Sequence, residues 1–353
     1  LVLGYLLGSN LATDVPIYIL ALVIGVYQIF HASINLVTYV LYRKNKIRPR
    51  FRLLLDGLVL VFLGGTSLLS STGNSVFQLF VLGAYFFLYG VSNIRDGFLF
   101  EEEIGKNHLK RRIRISLPIV LAALIPARTL AKVNKFMLEN ADEEEDIHLG
   151  IVKSGKTAEL EIFVHTAETS LFSAIGHVDI CYQGRVISYG NYDPSSETLF
   201  GMVGDGVLYF CDRDKYIDLC KRESQKTLFG YGIDLTPEME KAVQKKLAEL
   251  KQLTIPWEPS ADKIMTGDGK EDYTYAYKIR HETDGELYKF IKSKFKSYFV
   301  LSTNCVLLAD TIVGQAGTDI LSPKGFIAPG TYQAYLNREF EKPNSIVVSK
   351  HVY

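Results

Sequence analysis

No sign of charge is in excess in this chain of 353 residues. Its 39 lysines and arginines are matched by 39 aspartates and glutamates, for a formal net charge of zero. That balance excludes the broad basic surface by which most nucleic-acid-binding proteins neutralise phosphates, so no nucleic acid is expected as a partner. Cysteine is scarce, with four residues and no C-x-x-C pair among them. The histidines at 31, 108, 148, 165, 281 and 351 are scattered, and no zinc spacing results. No metal or other cofactor is expected. Internal repeats are also lacking.

Apolar residues crowd the N-terminal end. Residues 15–42 contain one acidic-free, base-free apolar stretch, longer than the roughly 20 residues needed to cross a bilayer. Residues 53–69 and 76–94 supply two more, separated by the uncharged turn 70–75. Residues 1–7 read as the tail of an earlier span, since the sequence begins without methionine, and Gly4 and Gly8 have the spacing of close helix contacts. Residues 115–131 form a shorter fourth candidate, interrupted by Pro118 and Pro126. Arg43, Lys44, Lys46, Arg48 and Arg50 follow one span. Arg95, Lys106, Lys110, Arg111, Arg112 and Arg114 follow the third. By the positive-inside rule both loops are cytoplasmic, and a fourth crossing then puts the C-terminal part outside. If residues 115–131 only lie along the interface, that part is cytoplasmic.

The acidic run from Asp142 to Asp146 ends this region and reads as a solvated linker. Three parts are expected: a transmembrane helical bundle over 1–138, a linker over 139–150, and an α+β domain with a mainly antiparallel sheet over 151–353. In that domain residues 158–164 alternate as a strand, and residues 198–202 and 207–211 flank the turn Gly204-Asp205-Gly206. Thr236 and Pro237 begin a helix with Met239, Val243, Leu247 and Leu250 near one face. Tyr273, Tyr275, Tyr277 and Ile279 alternate as a further strand, and Pro329-Gly330 opens a short last helix. The lysine-rich stretch 288–298 reads as a solvated face, with a basic aromatic surface against anionic head groups as the alternative.

Cys305 has the most chemically suggestive setting. An apolar segment passes there into a helix that Ser302 or Thr303 can cap and that residues 306–313 propagate. The cysteine falls in the first turn, where the helix dipole favours a thiolate. Upstream, residues 176–182 and 185–192 read as a hairpin around Gln183-Gly184, placing His177 on a rigid strand as a base for the thiol. A two-residue loop sets Gly190 opposite His177, with Ser188 and Tyr192 as same-face neighbours. A one-residue slip brings Asn191 or Tyr189 into line. Asn191 is the first choice to orient the imidazole, because its amide accepts from a ring N–H without ionising. Tyr189 and Ser188 stay open, and Asp193 lies beyond the strand end. Cys181 reads as strand core, and Cys211 and Cys220 as a pair if the domain is exported.

A helix-borne cysteine preceded by Asn304 and, earlier, by the hairpin histidine resembles the permuted papain-like thiol enzymes, among them the lecithin-retinol acyltransferase-like proteins and the permuted relatives of NlpC-type peptidases. The likeness covers roughly residues 150–353. It matches His177 to the strand histidine, Cys305 to the nucleophile and Asn304 to the residue before it. The second histidine of the acyltransferases has no match after His177. The apolar hairpins weakly resemble HdeD-type bacterial membrane proteins. The resemblance implies a cysteine hydrolase or acyltransferase of a bacterial plasma membrane, acting through an acyl-thioenzyme. Its partners would be the bilayer and a lipid-linked or lipoprotein envelope substrate, with a membrane protein as a further partner. A peptidoglycan amidase or endopeptidase is one alternative, and a non-catalytic membrane sensor or assembly factor another.

Overall fold

The computed structural model describes residues 15–48, 50–69, 80, 83, 87, 151–152, 158–165, 177–224, 228–265, 271–314, 329–342 and 345–353. The expected segments at 1–7, 115–131 and 139–150 lie outside them, as does 76–94 apart from three positions. The chain divides into two compact units between residues 104 and 105.

The first unit holds α1 (Val15–Lys44) and α2 (Phe51–Leu69). Both are long and apolar enough to cross a membrane, over Ala21–Lys44 and Phe51–Leu69. At 1.5 Å per residue even the shorter spans about 28 Å, close to the hydrocarbon thickness of a bilayer. Glycine lets the two helices approach. A Cβ on Gly57 would lie 2.9 Å from Leu36 Cδ2, and one on Gly64 2.9 Å from Ile29 Cγ1, the packing that membrane helices use where lipid removes the hydrophobic drive between them. Leu22, Val26, Val40, Leu58 and Phe62 stay exposed on the outside of the pair.

The second unit is built on nine antiparallel-paired strands, in the order β1 (Ile151–Val152), β13 (Val347–Val352), β7 (Leu228–Ile233), β2 (Leu160–His165), β3 (His177–Tyr182), β4 (Arg185–Gly190), β6 (Val207–Asp212), β11 (Glu286–Phe290) and β8 (Thr254–Pro256). Two ribbons stand apart, β5 (Val203–Asp205) with β12 (Ser297–Phe299) and β9 (Lys263–Met265) with β10 (Glu271–Tyr273). Alternation along the strands sorts side chains to two faces. Leu160, Ile162, Val178, Ile180 and Ile187 pack with α4 (Pro237–Lys251), α6 (Cys305–Val313) and Leu336 of α7 (Pro329–Glu341). Phe163, Cys181, Val186 and Tyr209 pack with Tyr216 and Leu219 of α3 (Arg213–Ser224) and Ile279 of α5 (Tyr275–Glu282).

The mainly antiparallel sheet, the β3–β4 hairpin and α4 with its Thr236 cap are as the sequence predicts. Other expectations are corrected. Tyr273 ends β10, but residues 274–279 do not continue it as a strand: Thr274 accepts a hydrogen bond from the Tyr277 N–H and caps α5, and Tyr273 and Tyr277 stack at 4.3 Å. Gly206 does not turn a hairpin but separates β5 from β6, which join different sheets. Cys211 and Cys220 are free buried thiols rather than a disulfide. The lysine stretch is no uniform basic face, because Lys289 pairs with Asp193 and Asp205 at 2.5 and 2.9 Å.

Candidate active site

The hairpin turn fixes which residues meet. Gln183 and Gly184 both have positive φ, 50° and 73°, the backbone that a tight two-residue loop needs to match the strand twist. Tyr182 then pairs with Arg185, Cys181 with Val186 and Ile180 with Ile187. The unslipped register of the sequence reading follows, with His177, Asp179 and Ser188 on one face. Beyond Ile180 the two strands part. β3 continues along β2 as far as His177 opposite His165, while β4 continues along β6 as far as Gly190 opposite Val207. The site lies at this fork.

Three groups converge on His177 Nε2: Asp179 Oδ1 at 2.8 Å, Ser188 Oγ at 2.9 Å and Tyr192 OH at 3.1 Å. The Ser188 and Tyr192 hydroxyls are also joined to each other at 2.9 Å. Asp179 Oδ1 has no aligned hydrogen bond, so its attraction to the ring is ionic. Its other oxygen is tied down directly: Tyr216 OH donates to Oδ2 at 2.5 Å, and His165 Nε2 lies 2.7 Å from it. With its side chain fully buried, Asp179 holds two imidazoles at once, and their rings meet edge to face at 5.6 Å. Burial alone would raise this carboxyl. The charge of His177 and the bond from His165 overcome that and hold it well below the usual carboxylate range.

Cys305 reaches the same ring from the opposite face of the sheet. It belongs to the apolar cluster of α4 and α6, yet its thiol lies near enough to His177 to act on the ring's charge, which the separated strand ends allow. Burial works to lower the His177 pKa, but the charges of Asp179 and then Cys305 outweigh it and raise it well above the ordinary histidine value. About a quarter of the ring side chain, 26%, remains exposed. Tyr298 of β12 is a second neighbour of the thiol. Burial and the Cys305 charge both push its phenol upward, so its hydroxyl stays protonated.

The start of the Cys305 helix is fixed by a residue other than the two expected. Asn304, not Ser302 or Thr303, is the cap: its Oδ1 accepts from the Leu307 N–H at 3.1 Å, and its Nδ2 donates to the Val300 carbonyl at 3.0 Å. Such a cap contributes about 1 kcal/mol. Here it also pins the start of α6 to the chain leaving β12.

Of the residues singled out in the sequence, the structure brings together Cys305, His177, Ser188 and Tyr192. Asn191 is turned elsewhere, with its amide donating to the Gly201 carbonyl at 3.4 Å and its side chain against Gly204. Tyr189 points into the apolar cluster and donates to the Phe295 carbonyl at 2.9 Å. Asp193 accepts from Ser195 and pairs with Lys289. The place beside the imidazole belongs to Asp179, with His165, Tyr216 and Tyr298 as further neighbours that the sequence reading does not place there. A signal for Asp179 was present, since His-x-Asp on a strand puts both side chains on one face. Burial pushes the Cys181 thiol up to about 12 and the Cys211 thiol higher still. Comparisons with protein-family models, curated proteins and solved structures return no match to this chain.

Proposed function

We propose that the chain is a membrane-anchored cysteine enzyme, with a permuted papain-like arrangement, that cleaves or transfers an acyl group. One observation supports this above the rest: a single imidazole lies between a buried carboxylate and a thiol at a helix start. Cys305 Sγ attacks the carbonyl carbon of an ester or amide while His177 holds the thiol proton. The carbonyl π electrons move to oxygen, and the Cys305 backbone N–H, which has no helical acceptor, helps to hold the developing charge. When the tetrahedral species collapses, the C–O or C–N bond breaks and His177 gives its proton to the leaving group. Water or a second acceptor then attacks the thioester, yielding its proton to His177 and releasing the thiol. Asp179 orients the ring and favours its imidazolium form through both steps.

The two apolar helices favour a substrate of the membrane or envelope, a lipid or lipoprotein acyl group before a peptidoglycan amide. The alternating basic loops favour an extracytoplasmic catalytic domain. The test is turnover of acyl donors by the full chain in nanodiscs. Cys305→Ala and His177→Ala should each lower the rate by about 10⁴-fold or more, with the thermal transition kept in Cys305→Ala. Turnover surviving either change rejects the assignment in favour of a non-catalytic membrane protein.

A further inference from the structure

A short loop beside the site has a sequence that neither turn chemistry nor core packing explains. Thr198 and Val203 close it through mutual backbone hydrogen bonds of 2.8 and 3.2 Å. Inside, three residues in succession have positive φ: Leu199 at 51°, Phe200 at 57° and Gly201 at 80°. Asparagine and glycine accept that backbone readily, whereas leucine and phenylalanine are strained in it. Nor are their side chains buried in return. Phe200 is 95% exposed and Leu199 49%. A strained backbone that carries two large apolar groups into solvent points to something they contact.

This tip is joined to the nucleophile. The Met202 carbonyl accepts from the Val300 N–H at 3.0 Å, and the Val300 carbonyl accepts from the Asn304 amide that caps the Cys305 helix. β5, which follows the tip, pairs with β12, with Gly204 opposite Tyr298. The charges near it do not suit an anionic surface: Glu197 is close to Gly201, and Asp193 and Asp205 are joined by Lys289. A second protein is also a poor fit. An aromatic side chain buries about 150–250 Å², well short of the roughly 800 Å² per partner of a stable interface.

We infer that Leu199 and Phe200 enter the acyl region of a lipid bilayer and thereby set Cys305 at the level of a lipid's acyl carbonyl. The membrane contact stands on the tip alone, while its consequence, a membrane-resident acyl lipid as substrate, rests on the function proposed above. The chain's own apolar helices provide the bilayer. Because the contact is apolar, it depends little on salt or on the anionic lipid fraction.

The test uses the full chain in phosphatidylcholine nanodiscs. The difference in emission between Phe200→Trp and wild type isolates residue 200 from Trp257. Emission shifted to the blue and quenched several-fold by lipids brominated on the acyl chain is the expected result, unchanged by added phosphatidylserine. Unquenched emission overturns the inference. So does a blue shift without quenching, which assigns the tip to a protein surface, or quenching that appears only with phosphatidylserine. In a second arm, Phe200→Ser should lower turnover of a phospholipid acyl donor on the order of tenfold, from the lost burial of one aromatic, while leaving a water-soluble thioester donor unaffected. Equal loss on both donors overturns the substrate assignment. If wild type turns over neither donor, the proposed function fails while the quenching still decides the contact.

Discussion

The two faces of β3 carry different chemistry on one backbone. Val178 and Ile180 point into the apolar cluster of α4 and α6, where little besides shape and volume is specified. His177 and Asp179, one residue out of phase, point the other way into histidine, serine and tyrosine hydroxyls. The apolar face gains stability from area removed from water, at about 25 cal/mol per Å². On the polar face each ionised group depends on its partner, because an unpaired buried charge costs far more than a missing methylene. Cys305 belongs to the first face by packing and to the second by contact. The fork between β3 and β4 is what lets it be both.

Asp179→Asn should separate the faces most strongly. Turnover is expected to fall by about 10² to 10⁴, as the imidazole loses its orienting charge, and stability by about 3 kcal/mol or more, as two imidazoles lose their shared carboxylate. The pH dependence has a definite sign. Asp179 has a depressed pKa, so its contribution is present above the unfolded value near 4 and is lost as pH falls below it. His177 has a raised pKa, so its contribution is complete below the unfolded value near 6.5 and is lost as pH rises through the higher folded value. The stability gap between wild type and variant should therefore be widest between about pH 4 and 6.5. Thermal unfolding of both proteins across pH 3–9 measures it, and a gap that does not vary with pH refutes the ion pair.

On the apolar face, Ile162→Ala should cost about 2–5 kcal/mol through the cavity it leaves. Below the lowered transition, the turnover rate should match wild type. A rate loss larger than the loss of folded protein would mean that the two faces are coupled more tightly than the alternation implies.

Asn191→Ala should have the smallest effect, under about 1 kcal/mol and less than tenfold in rate. Its Oδ1 is buried without a hydrogen bond, so truncation removes an unsatisfied acceptor. Turnover and melting of this variant beside Asp179→Asn decide which residue orients His177.

This contrast marks how far the sequence could be read. Local signals are enough to place His177 on a strand and Cys305 at a helix start, because Gln183-Gly184 demands a tight hairpin and an apolar run after Asn304 demands a helix. Asp179 lies along the same strand as its imidazole, whereas the hairpin geometry points across the turn to Asn191, Tyr189 or Ser188. His165 is in register with His177 only through β2–β3 pairing across a connection of 11 residues, and sequence spacing alone does not set such a pairing. Tyr298 meets the thiol only because β12 pairs with β5 far up the chain. The Tyr273–Ile279 alternation misled for a different reason: a short helix packed by Ala276 and Ile279 also satisfies it, and the Thr274 cap decides the outcome.

The central claim, that one thiol of the four is activated by His177 and Asp179, is tested most directly by mass spectrometry of the full chain after brief exposure to a short acyl thioester. An acyl adduct on the peptide containing Cys305 and on no other cysteine is expected, absent in His177→Ala and slowed in Asp179→Asn. Adducts spread over Cys181, Cys211 and Cys220, or an adduct at Cys305 that forms as fast without His177, would contradict it.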